Sequence, residues 1–394
     1  MTTRILRGIT YTVEKVIGDG QNIQGTRGND WLEAPGDNNF ISTGKGNDVI
    51  VAGLEFLGIT NNYPPYAGQA IVWKTPGVND NTIIAAGAGD DYVVVGGGNY
   101  VIDLGNGNNI FEASGGSNIR LSAGNGNDII DAGNIGNYQV DAGGGNNWVY
   151  LGAGNSCVSA GAGNDIITRN SFENTSQLFT YIFPEDGSTP QPYKQVIDAG
   201  NGDNQIELSV FGQTNIRTGS GQDFVLALSL STSFGLEVVN PDVVDILTGS
   251  GNDTVITIDT KSLINTGAGD DLIIAGSGDD TIYAGSGRNV INLRGASISI
   301  PNPVFDLGFY YNKQIPAPPV QGGGNDTVYL ESGRNTVILG SNGFATIYDF
   351  DRNDKLSISG LDVTLSCVGN DTLISSGSSC LGILKEYTGS VALV

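Results

Sequence analysis

Residues 248–292 read TGSGNDTVI, TIDTKSLIN, TGAGDDLII, AGSGDDTIY and AGSGRNVIN, five blocks of nine of which four open with the same phrase. Its form is x-G-x-G-x-[D/N]-x-U-x, with U apolar. Each block is too short for a helix and joins a Gly-rich half, suited to a turn, to a β-branched or aliphatic half, suited to a strand. The pattern predicts turn, strand, turn, strand. If one coil takes two blocks, residue n lies over n+18, and the strands stack as parallel sheets about 4.8 Å apart.

The same phrase runs outward in both directions. GTRGNDWLE, APGDNNFIS and TGKGNDVIV fill 25–51, and a longer array over 86–168 contains AGAGDDYVV, LGNGNNIFE, AGNGNDIID, AGGGNNWVY and AGAGNDIIT. AGNGDNQIE and TGSGQDFVL follow, and GGGNDTVYL stands near the end of the array. The expected fold is all-β: a β-solenoid of tandem nonapeptides over 1–340, with loop insertions at about 54–80, 169–195, 227–246 and 301–320. Residues 341–394 have longer alternating strands without the Gly phrase, as in ATIYDFDRNDKLSISG, and are expected to form a C-terminal β cap, because a solenoid needs its open end covered.

Composition narrows the chemistry. The chain has 394 residues, 41 acidic against 18 basic, and a formal net charge of -23. Nucleic-acid phosphates need Lys and Arg, so a nucleic-acid partner is not expected. There is no histidine, which excludes a Ser-His-Asp triad, an HExxH zinc site and an imidazole haem ligand. The three cysteines form no close-spaced metal motif, and GxSxG and P-loop signatures are absent. No stretch is apolar enough to span a bilayer, and MTTRILRGITYTVEKVIGDG carries no signal-peptide hydrophobic run. The protein is therefore expected to be cytosolic or to leave the cell by a route that reads another part of the chain.

The phrase itself suits calcium. Ca²⁺ takes six to eight hard oxygens at roughly 2.4 Å, and backbone carbonyls serve as well as carboxylates. Glycines at the second and fourth positions permit the positive φ that turns carbonyls inward, and the sixth-position Asp adds charge. Following the sixth position with alternate blocks on opposite edges gives one edge of Asp30, Asp48, Asp91, Asn109, Asp128, Asn147, Asp165, Asn204, Asp223, Asp253, Asp271 and Asn289. The other edge reads Asn39, Asn81, Tyr100, Asn118, Asn137, Ser156, Asn215, Ser262 and Asp280. The acids sort onto the first edge, which is expected to be the calcium edge; the second is expected to be an asparagine ladder closing its turns by hydrogen bonds.

The candidate metal ligands on the first edge are thus Asp30, Asp48, Asp91, Asp128, Asp165, Asp223, Asp253 and Asp271, with Asn109 and Asn147 between them. The glycines beside them are Gly44 and Gly46, Gly87 and Gly89, Gly124 and Gly126, Gly161 and Gly163, Gly219 and Gly221, Gly249 and Gly251, and Gly267 and Gly269. Asp280 with Gly276 and Gly278, and Asp326, complete the set. The seventh position points away from U yet holds Trp31, Val49, Tyr92, Ile110, Ile129, Trp148 and Ile166. Such an apolar outer row calls for a cover, from the insertions or from another molecule.

These tandem phrases resemble the RTX, or haemolysin-type calcium-binding repeat, family over about four fifths of the chain. The resemblance implies a parallel β-roll, several Ca²⁺ ions in the turns, and type I secretion through an uncleaved C-terminal signal, to which DFDRNDKLSISG and GNDTLI are similar. It implies a secreted, extracellular or cell-surface location. Two departures stand out: many sixth positions are Asn, and long insertions interrupt the rod.

Family members often carry an enzyme or toxin domain beside the repeats, but no segment here is long enough to be one. The expected function is therefore a non-enzymatic calcium-binding protein of a cell-surface layer, matrix or adhesive contact. Its partners would be calcium, further copies of itself, or surface carbohydrate or protein; aromatic insertion residues (Tyr63, Tyr66, Trp73, Phe179, Tyr181, Phe183) are candidates for such contacts. The alternative is a polysaccharide-active enzyme of lyase or epimerase type on a β-solenoid, using acid pairs.

Overall fold

One row of side chains decides the architecture: Leu32, Ile50, Val93, Phe111, Ile130, Val149 and Ile167, the U residues of alternate nonapeptides, stand in a single parallel register. All are at most 1% exposed. The computed structural model describes residues 2–6, 8–60, 70–74, 80–113, 117–133, 136–169, 192–229, 242–295, 322–358 and 360–394; strands are their regular elements, with no helix among them. They form two compact units, one ending at Gln195 and the other beginning at Val196. Within each unit successive strands alternate between two parallel sheets. Two nonapeptides therefore make one coil of a parallel β-roll.

In the first unit the second sheet contributes Ile23, Ile41, Ile84, Ile102, Leu121, Val140 and Val158 to the core, again in one register and all nearly inaccessible. In the second unit the corresponding rows are Ile206, Val225, Val255, Ile273, Ile291, Val337 and Leu356, and Ile216, Ile246, Ile264, Ile282, Val328 and Ile347. Burying each such side chain stabilises the fold by about 1.5–3 kcal/mol. The stack supplies that contribution once per strand and needs no thick central core.

Insertions do not break the stack. Asp48 and Asp91 are neighbours although 43 residues apart, and so are Asp223 and Asp253 at 30 and Asn289 and Asn335 at 46. In the first interruption Glu55–Thr60 pairs antiparallel with Ala70–Lys74. Tyr63, Tyr66, Phe179, Tyr181 and Phe183 lie outside the described residues. Phe224–Ser229 and Val243–Leu247, strands of the array itself, flank the third interruption.

Part of the apolar outer row is covered by the chain's own start. Thr2–Leu6 and Ile9–Lys15 form an antiparallel hairpin whose second strand pairs parallel with Asp30–Ala34. Leu6 and Tyr11 pack in one cluster with Trp31, Val49, Leu54 and Tyr92, and the Tyr11 ring meets Trp31 edge-on at 5.9 Å. The Arg4 guanidinium lies over Trp31 and pairs with buried Glu33, whose Oε1 also accepts from Trp31 Nε1.

At the other end Thr364–Val368, Asp371–Ser376 and Ser379–Leu384 make an antiparallel meander, and its last strand pairs parallel with Phe344–Tyr348. Cys157, Cys367 and Cys380 are exposed free thiols. No helix among the described residues is long and apolar enough to cross a membrane.

Candidate metal centre

Glycine makes the turns possible in two ways. Gly44, Gly46, Gly87, Gly89, Gly124, Gly126, Gly161, Gly163, Gly221, Gly249, Gly251, Gly267 and Gly269 all have positive φ, where a Cβ is strained. Carbonyls of the preceding coil also press on them. A Cβ on Gly89 would stand 1.8 Å from Gly46 O, and one on Gly269 1.6 Å from Gly251 O. Gly219, Gly276 and Gly278 depart from the expected positive φ. Close approach alone requires glycine there: a Cβ on Gly278 would lie 1.8 Å from Thr260 O.

The sixth positions stack as the eighteen-residue count predicts. In the first unit Asp30 N–H donates to Asp48 Oδ1 at 2.8 Å, Asp48 N–H to Asp91 at 2.7 Å and Asp91 N–H to Asn109 at 3.0 Å. The chain of bonds continues through Asn109 to Asp128, Asp128 to Asn147 and Asn147 to Asp165, at 2.8–3.0 Å. In the second unit it links Asn204, Asp223, Asp253, Asp271 and Asn289 at 2.9–3.0 Å. It then extends to Asn335 and Asp354, two members the sequence reading missed. DFDRNDKLS does place Asp354 at a sixth position, but the phrase has lost its glycines.

Each rung uses one carboxylate oxygen and leaves the other. Oδ2 of Asp48, Asp91, Asp128, Asp223, Asp253 and Asp271 is buried without a hydrogen-bond partner. Burial pushes Asp48 and Asp271 up to about 6, and Asp91, Asp128 and Asp165 up to about 7. Asp223 and Asp253 are raised by the same cause. A buried oxygen left without a partner is costly, and stacked carboxylates at neutral pH repel. A hard divalent cation answers both. Among the described residues no three Cys, Asp or Glu side chains cluster as a metal group. An ion here would draw most of its oxygens from the backbone carbonyls that the glycines expose.

The second edge needs correcting in register and in charge. In the first unit the aligned row is Asn81, Asn99, Asn118, Asn137 and Asn155, joined side chain to side chain at 2.7–2.9 Å, with Asn38 joined to Asn81. Asn39, Tyr100 and Ser156 belong to the neighbouring row, with Thr82 and Tyr138. One-residue differences in coil length caused the misassignment. The asparagine ladder is there, exposed and running between side chains.

The second unit's second edge is acidic. Asp242 Oδ1 accepts from Gly212 N–H at 2.7 Å, Asp280 Oδ1 accepts from Ser262 N–H at 2.8 Å and Asp326 Oδ1 from Asp280 N–H at 3.2 Å. Asn215 sits one row off, beside Asp245. Burial raises Asp280 to about 7, and burial with the Asp280 charge raises Asp326 to about 8. Asp280 Oδ2 is buried and unpartnered. Both sequence candidates on this edge therefore meet, in the arrangement seen on the first edge.

The family profile described as RTX calcium-binding nonapeptide repeat (4 copies) matches residues 18–54, 76–111, 139–175, 263–291 and 322–342. No curated protein matches the chain. The matched stretches span both units and take in Asp30, Asp48, Asp91, Asn147, Asp165, Asp271, Asp280 and Asp326. These stretches carry the RTX calcium-binding nonapeptide repeat, the family the tandem phrases resemble.

Proposed function

We propose that this calcium-binding β-roll is a secreted, non-enzymatic scaffold of a cell-surface layer, matrix or adhesive contact, folding on calcium after export. The observation that carries the reading is the run of buried, unpartnered Oδ2 atoms on stacked carboxylates. Asp30, Asp48, Asp91, Asp128, Asp165, Asp223, Asp253, Asp271, Asp280 and Asp326 would hold several ions together with glycine carbonyls, and Asn109 and Asn147 would lower the charge of the sites between. Bound calcium supplies positive charge shared by successive coils.

The chain's own part is to present the oxygens. Asp30 accepts from Thr26 of its own turn, each other Asp Oδ1 fixes its carboxylate to the neighbouring coil, and the glycines let carbonyls approach. Where calcium is scarce, a chain of net charge -23 repels itself and favours expanded states. Where it is plentiful, ions that bind only the folded state supply the missing stability. Type I secretion, implied by the family resemblance, fits that sequence of events. The acids sit in the turn phrase, where calcium accounts for them without catalysis.

Circular dichroism during a calcium titration after EDTA, with light scattering on the same samples, tests the reading. A coil-to-β transition with coincident assembly supports it. A β spectrum unchanged by EDTA removes calcium-driven folding.

A further inference from the structure

Beside the metal row of the first unit lies a groove enclosing about 370 Å³, open to solvent along successive coils. Its rim is the fifth-position row Asn108, Asn127 and Asn146, all exposed; its floor is the seventh-position row Ile110, Ile129 and Trp148. The orientation of the rim amides is fixed by chemistry. Asn127 N–H donates to Asn108 Oδ1, Asn146 N–H to Asn127 Oδ1 and Asn164 N–H to Asn146 Oδ1, each at 2.8 Å. A backbone N–H can only donate, so the oxygen of each side chain faces the stack and the NH₂ group faces out. These three NH₂ groups make no hydrogen bond among the described residues, and they repeat once per coil, about every 4.8 Å.

We propose that this groove binds a short, neutral, linear oligosaccharide. Three features select that class. First, the groove is elongated along the stack, its lining running over three coil steps of about 4.8 Å from Asn108 to Asn164, a shape suited to one extended chain. Second, the rim turns its NH₂ donors outward, while each Oδ1 faces the stack. A peptide strand needs donors and acceptors in alternation, whereas hydroxyl, ring and glycosidic oxygens can all accept. Third, the floor is aliphatic and aromatic, suited to the C–H faces of sugar rings. The groove lining holds no Lys or Arg to pair with a polyanion. The proposal rests on the adhesive reading above for its setting, while its chemistry stands on the groove alone.

The test exploits a substitution the chain already contains. Asp90 occupies the same row and accepts from Asn108 N–H at 2.7 Å, so Asn→Asp keeps the acceptor that holds the coils and deletes the outward donor. The full chain in calcium is titrated calorimetrically with cellotetraose, maltotetraose, chitotetraose and a tetra-uronate. The expected result is that at least one neutral tetrasaccharide binds, and that N108D/N127D/N146D weakens it by at least about tenfold, with the circular dichroism spectrum at saturating calcium unchanged. N127D alone is the reserve if the triple variant does not fold, with a smaller loss in the same direction. No binding by the wild type, preference for the uronate, or unchanged affinity in a folded variant overturns the proposal. Calcium-driven folding is read separately on the same samples, so failure of the groove and failure of the scaffold reading are told apart.

Discussion

The backbone N–H of Asp253 donates to Oδ1 of Asp271 at 2.9 Å while Oδ2 of both residues stays buried and unpartnered. One side chain thus ties two coils together and carries a charge that the protein does not itself neutralise. The two roles are separable, because an amide can replace the first and not the second. Asp91 N–H bonds Asn109 Oδ1 at 3.0 Å in the same ladder.

Asp253→Asn with Asp271→Asn should therefore keep the coils stacked and weaken calcium. The expected outcome is a calcium midpoint higher by about tenfold or more, since ligand charge tunes affinity. The β content at saturating calcium should be unchanged. Calcium titration by circular dichroism checks it; an unmoved midpoint would count against metal binding at this pair.

Calcium-free protein should lose stability as pH rises. Burial raises Asp48 and Asp271 to about 6 and Asp91, Asp128 and Asp165 to about 7 from the ordinary 3.8. Between those values the folded state binds more protons than the unfolded one, so the slope of stability against pH is negative. The contribution is whole below about 3.8 and lost by about 7, and saturating calcium should remove the decline. Urea midpoints from pH 4 to 8, with EDTA and with calcium, provide the measurement; a calcium-free midpoint that rises with pH would refute the assignment.

Gly107→Ala should destabilise the fold by about 3 kcal/mol or more. Its φ is 139°, and its Cβ would stand 1.9 Å from Gly89 O. Gly97, in the same unit, has nothing within 4 Å of such a Cβ. Gly97→Ala should fall within about 0.5 kcal/mol of the wild type. Equal losses for the two variants in denaturant titration would mean that the carbonyl approach is not what demands glycine.

Arg4→Ala should cost about 3 kcal/mol, because it strands the buried Glu33 charge. Adding Glu33→Gln should restore much of that loss, since the amide oxygen still accepts from Trp31 Nε1. Chemical denaturation followed by tryptophan fluorescence tests the pair. No recovery in the double variant would place the effect in lost packing over Trp31.

Much of this molecule is readable from its repeats because a solenoid turns sequence distance into space. A strand paired to its neighbour once per coil must put Asp253 beneath Asp271, and the apolar eighth position must alternate with outward neighbours. The period therefore determined the parallel sheets, the core rows and the first-edge stack. It did not determine register on the second edge of the first unit, where coils of 18 and 19 residues are mixed and the aligned asparagine falls one place before the sixth position in some blocks and on it in others. Asn99 and Asn155 replaced Tyr100 and Ser156 for that reason.

Only tertiary structure decided what lies across the rows. Leu6 and Tyr11 reach Trp31 through a hairpin with no repeat to announce it, and Asp280 meets Asp326 across an interruption whose length no period encodes. The outward amides of Asn108, Asn127 and Asn146 depend on which oxygen the next coil's N–H consumes. Local sequence sets the conformation of each turn, but the hydrogen bonds and buried charges between turns exist only once the coils are stacked.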